Sequence, residues 1–391
     1  MVRKRGQIII KQPGVYLVRV SLGEEAGTGK RKFLSKTIRG TKKDAQLELA
    51  KLLHQQSEGR LNPPSQLTVN QFLDEWLRSK GGSIEERTLL DYELTLKRYV
   101  RPFLGERRLD KLTPRDIQEL INTLKEKKRS SRTIRGTHVV LSSALAQAVK
   151  QQLLPRNPAE GALLPARQQS EMMALGPEEA RRFLEEAAKD RWGLLFALAL
   201  YTGMRPGEIR ALQWKDFDLE NRIVTIRRAV SKGRDGWYFK PTKTKQVRRN
   251  PLPPSLVARL EAYRAEQKVL QGMIARADFV DHDLVFANES GRPLDEGNLI
   301  QRHFKPILKR AGLPAKLRLY DLRHSMATLL LHTDENIKVI SERLGHSDAT
   351  MTLNVYAHAL PTMQEAATRK LDALLTSEAK EEEGGVDAAE T

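Results

Sequence analysis

There is no cysteine among the 391 residues, which excludes disulfides, thiolate metal sites and a cysteine nucleophile together. Eight histidines remain, but none falls in H-E-x-x-H or a comparable ligand spacing, so no protein-bound zinc is expected. Long apolar runs are missing too. The longest, WGLLFALALYTGM, falls short of the roughly 20 residues that span a bilayer. The amino-terminal MVRKRGQIIIKQPG has only three consecutive isoleucines after its basic start, too few for a signal-peptide core. These absences predict a cytoplasmic protein that works with oxygen and nitrogen side chains and no cofactor.

What is present is positive charge. The net charge is +18 and the pI about 9.9, on a composition of 40% hydrophobic residues and mean hydropathy -0.51 that is ordinary for a globular protein. Basic clusters recur at Arg3 to Arg5, Lys30-Arg31-Lys32, Lys42-Lys43, Lys125 to Arg132, Lys240 to Arg249 and Lys305 to Arg318, while the carboxyl-terminal EAKEEEGGVDAAET is acidic. Charge distributed in this way is the footprint of a polyanion binder, because neutralising phosphates releases condensed counterions. A well-solvated basic surface is the alternative that composition alone leaves open.

A chain of this length suits two or three domains. Residues 1 to 60 read as a small β-then-α unit: GVYLVRVSLG alternates apolar and polar positions, EEAGTGK supplies turn residues and RKFLSKTIRG is the returning strand. Thr41 is placed to cap a helix through DAQLELAKLLHQQ. Strands can enter a major groove as helices can, so a basic sheet of this size is a plausible groove reader, with Lys30, Arg31 and Lys32 as its contacts. LNPPSQ reads as a linker. Residues 67 to 155 then show apolar positions at three-to-four spacing in VNQFLDEWLRSK, TLLDYELTLKRYVRPFLG, TPRDIQELINTLKEKK and SSRTIRGTHVVLSSALAQAVKQQLL, a bundle of about four helices. Its polar faces carry Arg98, Arg129, Arg132 and Arg135, which fits a module lying against a phosphate backbone. PRNPAEGALLPARQQ is a second linker, and residues 172 to 375 are mostly helical with a small antiparallel sheet in RIVTIRRAV and WYFKPTKTKQVRRNPL. The fold class expected is α+β in several domains, with an acidic disordered tail over 376 to 391.

Five phrases of the last region concentrate chemistry: TGMRPGEI, KPTKTKQVRR, LYDLRHSMA, LGH and NVYAH. They bring forward Arg205, Lys243, Arg323, His324, His346 and Tyr356. Two guanidinium groups can hold the non-bridging oxygens of a phosphodiester and stabilise the charge of a pentacoordinate transition state. A lysine beside the leaving oxygen can supply its proton, and Tyr356 can attack phosphorus to form a covalent phosphotyrosine. Each residue alone has an ordinary structural reading: Arg205 as an ion-pair partner of Glu208, Lys243 as part of a solvated basic hairpin with Arg248 and Lys245, the histidines and Tyr356 as packing. Trp214, Trp237 and the leucine-rich stretch 194 to 200 read as core.

The ordered set R…K…YxxRH…LGH…Y resembles the tyrosine recombinase family, also called phage integrases. The resemblance covers roughly 172 to 375, the helical module at 67 to 155 resembles that family's core-binding domain, and residues 1 to 60 resemble the arm-binding domain of phage and conjugative-transposon integrases. It implies that Arg205 and Arg323 are the two catalytic arginines, Glu208 the acidic neighbour of the first, and His324 the usual companion of the second. It further implies that His346 hydrogen-bonds the scissile phosphate and that Lys243 is the general acid, with Lys245 a competitor for that role. Tyr356 would be the nucleophile, leaving a 3′-phosphotyrosine and a free 5′-hydroxyl. One position departs from the pattern: Tyr320 stands where the family often has histidine or lysine, and a phenol with a reference pKa of about 10 is a poor proton acceptor near neutrality. Tyr320 is also a rival nucleophile. The resemblance implies double-stranded DNA attachment sites of core and arm type as partners, a homotetramer on DNA passing through a Holliday junction, and room for DNA-bending accessory proteins and an excisionase. A type IB topoisomerase-like enzyme and a DNA-binding regulator that has lost catalysis are the alternatives.

Overall fold

The computed structural model describes residues 6–24, 31–57, 66–168, 172–244, 246–273, 279–333, 335–345 and the helical residues 368, 369, 371–373 and 375. The acidic segment 376 to 391 lies outside them. The chain divides into two compact units, Met1–Gln169 and Ser170–Thr391.

The first unit begins with an antiparallel sheet in the order β1 (Gly6–Gln12), β2 (Val15–Glu24) and β3 (Arg31–Arg39). β1 was not expected: GQIIIKQ has only three consecutive isoleucines and no alternation, and it becomes a strand by pairing Gly6 to Ile10 with Val20 to Tyr16 of β2. Gly14, at a φ of +78°, makes the tight reversal between them. Period-two alternation in β2 turns Val18 and Val20 to one face, where they are buried with Ala45 and Leu52 of helix α1 (Lys42–Ser57). Thr41 starts that helix as expected, its hydroxyl accepting from the Asp44 amide at 3.3 Å while Asp44 accepts from the Thr41 amide at 2.8 Å.

A separate core is formed by helices α2 (Val69–Lys80), α3 (Glu86–Thr95), α4 (Arg101–Leu104), α5 (Pro114–Glu126) and α6 (Ser131–Lys150). α3 runs into α4 through a π turn at Leu96–Val100, so four helical rods result, matching the four periodic stretches. Capping boxes at Thr68 with Gln71 and at Thr113 with Asp116 fix the starts of α2 and α5. Trp76 stacks on Tyr92 with ring centroids 5.7 Å apart.

The second unit is built around α8 (Gly193–Thr202), GLLFALALYT, which is buried over nearly its whole length. It lies against α7 (Pro177–Ala188), α10 (Pro254–Met273) and α13 (Asp321–His332). A four-residue helix, α9 (Pro206–Ile209), follows it. The sheet β4 (Phe217–Asp218), β5 (Ile223–Ile226), β8 (Arg248–Pro251) and the hairpin β6 (Arg228–Lys232) with β7 (Trp237–Pro241) are antiparallel, as the strand patterns predicted. Short helices α11 (Glu296–Leu299) and α12 (Lys305–Arg310) are joined by a second π turn, and α14 (Ile337–Leu344) follows α13. Among the described residues no helix is long and apolar enough to cross a membrane.

Candidate active site

The site starts where α8 stops. Gly203 ends that helix in the left-handed region at φ +63°, and a Cβ there would fall 2.2 Å from Met326 Cε. Two residues on, Arg205 is the N-cap of α9 and Pro206 its first helical residue, a position suited to a residue with fixed φ and no amide proton. Glu208 closes the turn, accepting from the Arg205 amide at 2.8 Å and from Arg205 Nη1 at 2.9 Å. The carboxylate is 1% exposed. Burial pushes its pKa up, but hydrogen bonds and charge from Arg248, then from Arg205, outweigh that and hold it below the ordinary glutamate value.

Arg248, on β8, grips the same carboxylate with Nη1 at 3.2 Å and Nη2 at 2.5 Å. Its place in the basic run KPTKTKQVRR makes Arg248, with Lys245, a candidate DNA contact. The structure corrects that: Arg248 is 8% exposed, because the strand's alternation turns Arg248 and Asn250 inward and Arg249 outward. Asn250, which sequence reasoning passed over, is fully buried and donates Nδ2 to the Thr202 carbonyl at 2.9 Å. Parity within RRNP was the available signal, but one apolar reference position was lacking to say which parity faced in.

Arg323 comes from the first turn of α13. At 2% exposure it is among the largest fully committed side chains in the molecule, with Nη1 donating to the Gly203 carbonyl at 2.7 Å and Nη2 to the Leu344 carbonyl at 2.6 Å. It thereby ties the ends of α8 and α14 to α13. Burial and the charge of Arg205 lower its pKa, to about 10, with Tyr320 opposing and Arg248 reinforcing the shift; it stays charged at neutral pH. The α13 start is fixed by Asp321, which accepts from the Arg318 amide at 2.8 Å and from its guanidinium Nη2 at 2.8 Å. Tyr320, just before, is 39% exposed, its ring 5.3 Å from that of His324. His324 is half-buried, and burial draws its imidazole below the usual pKa.

Lys243 sits exposed in the turn between β7 and β8, which is closed by Thr242 Oγ1 donating to the Gln246 carbonyl at 2.9 Å. Lys245, His346 and Tyr356 lie outside the described residues, as does Lys30. Arg31 and Lys32 begin β3 opposite Glu24 and Gly23. On the helical rods Arg98 and Arg132 are exposed, whereas Arg135 is half-buried with Nε on the Pro165 carbonyl at 2.8 Å. Trp214 and the 194 to 200 stretch are core, but Trp237 is only partly buried, edge-on to Phe239 and His282.

Arg205 and Glu208 from one motif segment and Arg323 from a second are therefore brought together, with Arg248 added from a third. Two guanidinium groups, those of Arg205 and Arg248, share one buried carboxylate, and the charge of Arg323 is felt by all three. Such an excess of positive charge, partly removed from water, favours an anion with several acceptor oxygens, and a phosphodiester supplies both the charge and the lone pairs.

Comparison with known proteins agrees with that chemistry. Residues 173–363 match the model of the phage integrase family, and residues 68–125 match the phage integrase N-terminal SAM-like domain. A tyrosine recombinase XerC-like protein of Caldanaerobacter subterraneus is 28% identical, covering 92% of this chain and 96% of that one. The ICEBs1 integrase of Bacillus subtilis is also 28% identical, covering 93% and 98% respectively. Among solved structures, the Tn1549 transposon integrase in complex with a circular intermediate DNA superposes with a TM-score of 0.64 at 25% identity, over 76% of this chain and 99% of that one. The chain belongs to the phage integrase family, the tyrosine recombinases.

Proposed function

We propose that this protein is a site-specific DNA recombinase that integrates and excises a phage or other mobile element by breaking and rejoining DNA strands. The observation that carries the reading is that Arg205, held on Glu208, and Arg323, held on the Gly203 and Leu344 carbonyls, lie close enough for each to feel the other's charge in a chain of the phage integrase family. The two guanidinium groups receive the scissile phosphate and neutralise charge as it grows on the equatorial oxygens. Tyr356 releases its phenolic proton to water and attacks phosphorus, its O–P bond forming as the bond to the 5′ oxygen breaks, and Lys243 gives that oxygen a proton; Lys245 is the alternative donor. His346 donates a hydrogen bond to the phosphate, and Tyr320 lends a second one in place of proton uptake. Glu208 holds Arg205, and His324 stands beside Arg323 as its usual companion. The energy of the broken bond stays in the phosphotyrosine, so a second DNA strand can reverse the step without an external energy source.

Residues 1 to 60 serve as the arm-type DNA-binding domain, 67 to 155 as the core-binding domain and 172 to 375 as the catalytic domain. The working form is a homotetramer on two core sites, resolving through a Holliday junction, with arm sites, bending proteins and an excisionase setting direction. Supporting the assembly by similarity, a lambda integrase tetramer bound to a Holliday junction has the same fold, with a TM-score of 0.58 at 19% identity.

The test is a nicked DNA that carries the element's own junction sequence and lets the cleaved fragment diffuse away. Wild-type protein should form an SDS-resistant covalent adduct and Tyr356→Phe none. Adduct persisting in Tyr356→Phe would move the nucleophile to Tyr320, and absence of adduct on DNA that wild type binds would favour the non-catalytic regulator.

A further inference from the structure

Arg248 makes contacts with more of the site than any role in DNA contact would require. Its fork holds both oxygens of Glu208. Its Nε donates to the Arg343 carbonyl at 3.2 Å, in the last turn of α14. Its stem packs against Gly345, where a Cβ would lie 3.0 Å from Arg248 Cδ, and Gly345 is held at φ +64° one residue before His346. The strand it opens emerges from the turn that carries Lys243.

We propose that Arg248 is a positioning residue that locks three separate parts of the recombination site: Arg205 through Glu208, the α14 end that leads to His346, and the turn that carries Lys243. The inference rests on the recombinase reading above. Its physical basis is competition for a carboxylate. Glu208 is buried and needs cationic partners on both oxygens. Arg248 satisfies most of that need, so Arg205 gives Glu208 one side-chain bond, through Nη1, and keeps the rest of its fork for an anion. Without Arg248, Arg205 becomes the main counterion of Glu208 and is drawn away from the phosphate.

The experiment measures adduct formation on the nicked junction DNA at saturating protein, together with DNA affinity, across a pH series. The proteins are wild type, Arg248→Lys, Arg248→Met, Glu208→Gln and the Arg248→Met/Glu208→Gln double variant. Arg248→Met should cleave about 10- to 100-fold more slowly, the range usual for partners that orient a reacting group, with affinity held within about 2-fold. Its acid limb should move to higher pH. Glu208 faces Arg248, Arg205 and Arg323, and losing the nearest of these cations raises the pH at which the carboxylate protonates and lets go of Arg205. The limb shift should vanish in the double variant, which should be no slower than the slower single one. Arg248→Lys keeps a cation at Glu208 but cannot also reach the Arg343 carbonyl, so its limb should stay in place while its rate falls several-fold. That variant carries the test if Arg248→Met does not fold. Wild-type rates in Arg248→Lys, an unmoved limb in folded Arg248→Met, or losses that multiply in the double variant would each overturn the role. No adduct with wild type would instead remove the recombinase reading on which it stands.

Discussion

Arg323 shows why a residue can be legible in sequence while its surroundings are not. The phrase DLRHS marked it, but nothing in the phrase says that its guanidinium would end on the carbonyls of Gly203 and Leu344. Those partners are long-range, and backbone carbonyls carry no sequence signature. Arg205 and Glu208 were readable together because a capping turn is local, three residues long. Arg248 was misread for the opposite reason: in KQVRRN every cation looks solvated until strand pairing decides which face is inside. The geometry makes Arg323 a structural tie, the proposed function adds a phosphate contact, and the two parts separate on substitution. Arg323→Ala leaves two buried carbonyls without donors, at about 1–3 kcal/mol each, and should also lower adduct formation by about 100-fold or more. Arg323→Lys keeps charge but cannot span both carbonyls, so it should regain only part of the thermal stability and little of the cleavage. Adduct yield alongside a melting curve checks this; wild-type cleavage in either variant would remove Arg323 from the phosphate.

At the scale of elements, what could be read was what repeats. α2, α7 and α8 declare themselves through apolar spacing or a continuous apolar run bounded by Gly or Pro, and the four rods of residues 69 to 150 follow from the same signal. α10 does not: Leu256, Val257 and Leu260 are buried near its start, but Val269 and Leu270 face outward near its end, so its stripe fades along the helix. The junction that matters most is the stop after α8, where Gly203 supplies a left-handed residue, close room for Met326 and a carbonyl for Arg323 in one position. Gly203→Ala places a side chain in left-handed backbone, at roughly 1–2 kcal/mol, and drives its Cβ into Met326. For a unit of this size about 2–4 °C of melting temperature is lost per kcal/mol, so Gly203→Ala should melt lower by several degrees and cleave more slowly at a temperature where it is still folded. Adding Met326→Ala relieves the clash but not the backbone strain, and should return only part of the loss. An unchanged melting temperature in Gly203→Ala would mean that this turn is not under the constraint its geometry implies.

Across the whole molecule the informative quantity is where the charge lies. Residues 1 to 60 hold fourteen lysines and arginines against five acidic residues, a net +9, half of the +18 of the entire chain in less than a sixth of its length. That concentration, and the existence of several domains, could be read from composition; the separation of the cores could not, since it depends on which apolar faces meet. The sheet and α1 bury their own small core of Val18, Val20, Ala45 and Leu52, distinct from the clusters that hold the helical rods and the arginine site. A unit with its own core and half the charge should contribute binding that can be removed without dismantling the catalytic centre. Deleting residues 1 to 60 should therefore leave adduct formation on core-site DNA near the wild-type level while abolishing the added affinity for DNA that also carries arm sites. The salt dependence gives the number. Each phosphate neutralised on a duplex adds about −0.9 to the slope of log affinity against log salt, so the full chain should show a steeper slope on arm-containing DNA than on core DNA alone, and the shortened chain should show the same slope on both. Equal slopes for the full chain on the two DNAs would mean that the amino-terminal sheet, for all its charge, does not engage the arm sites.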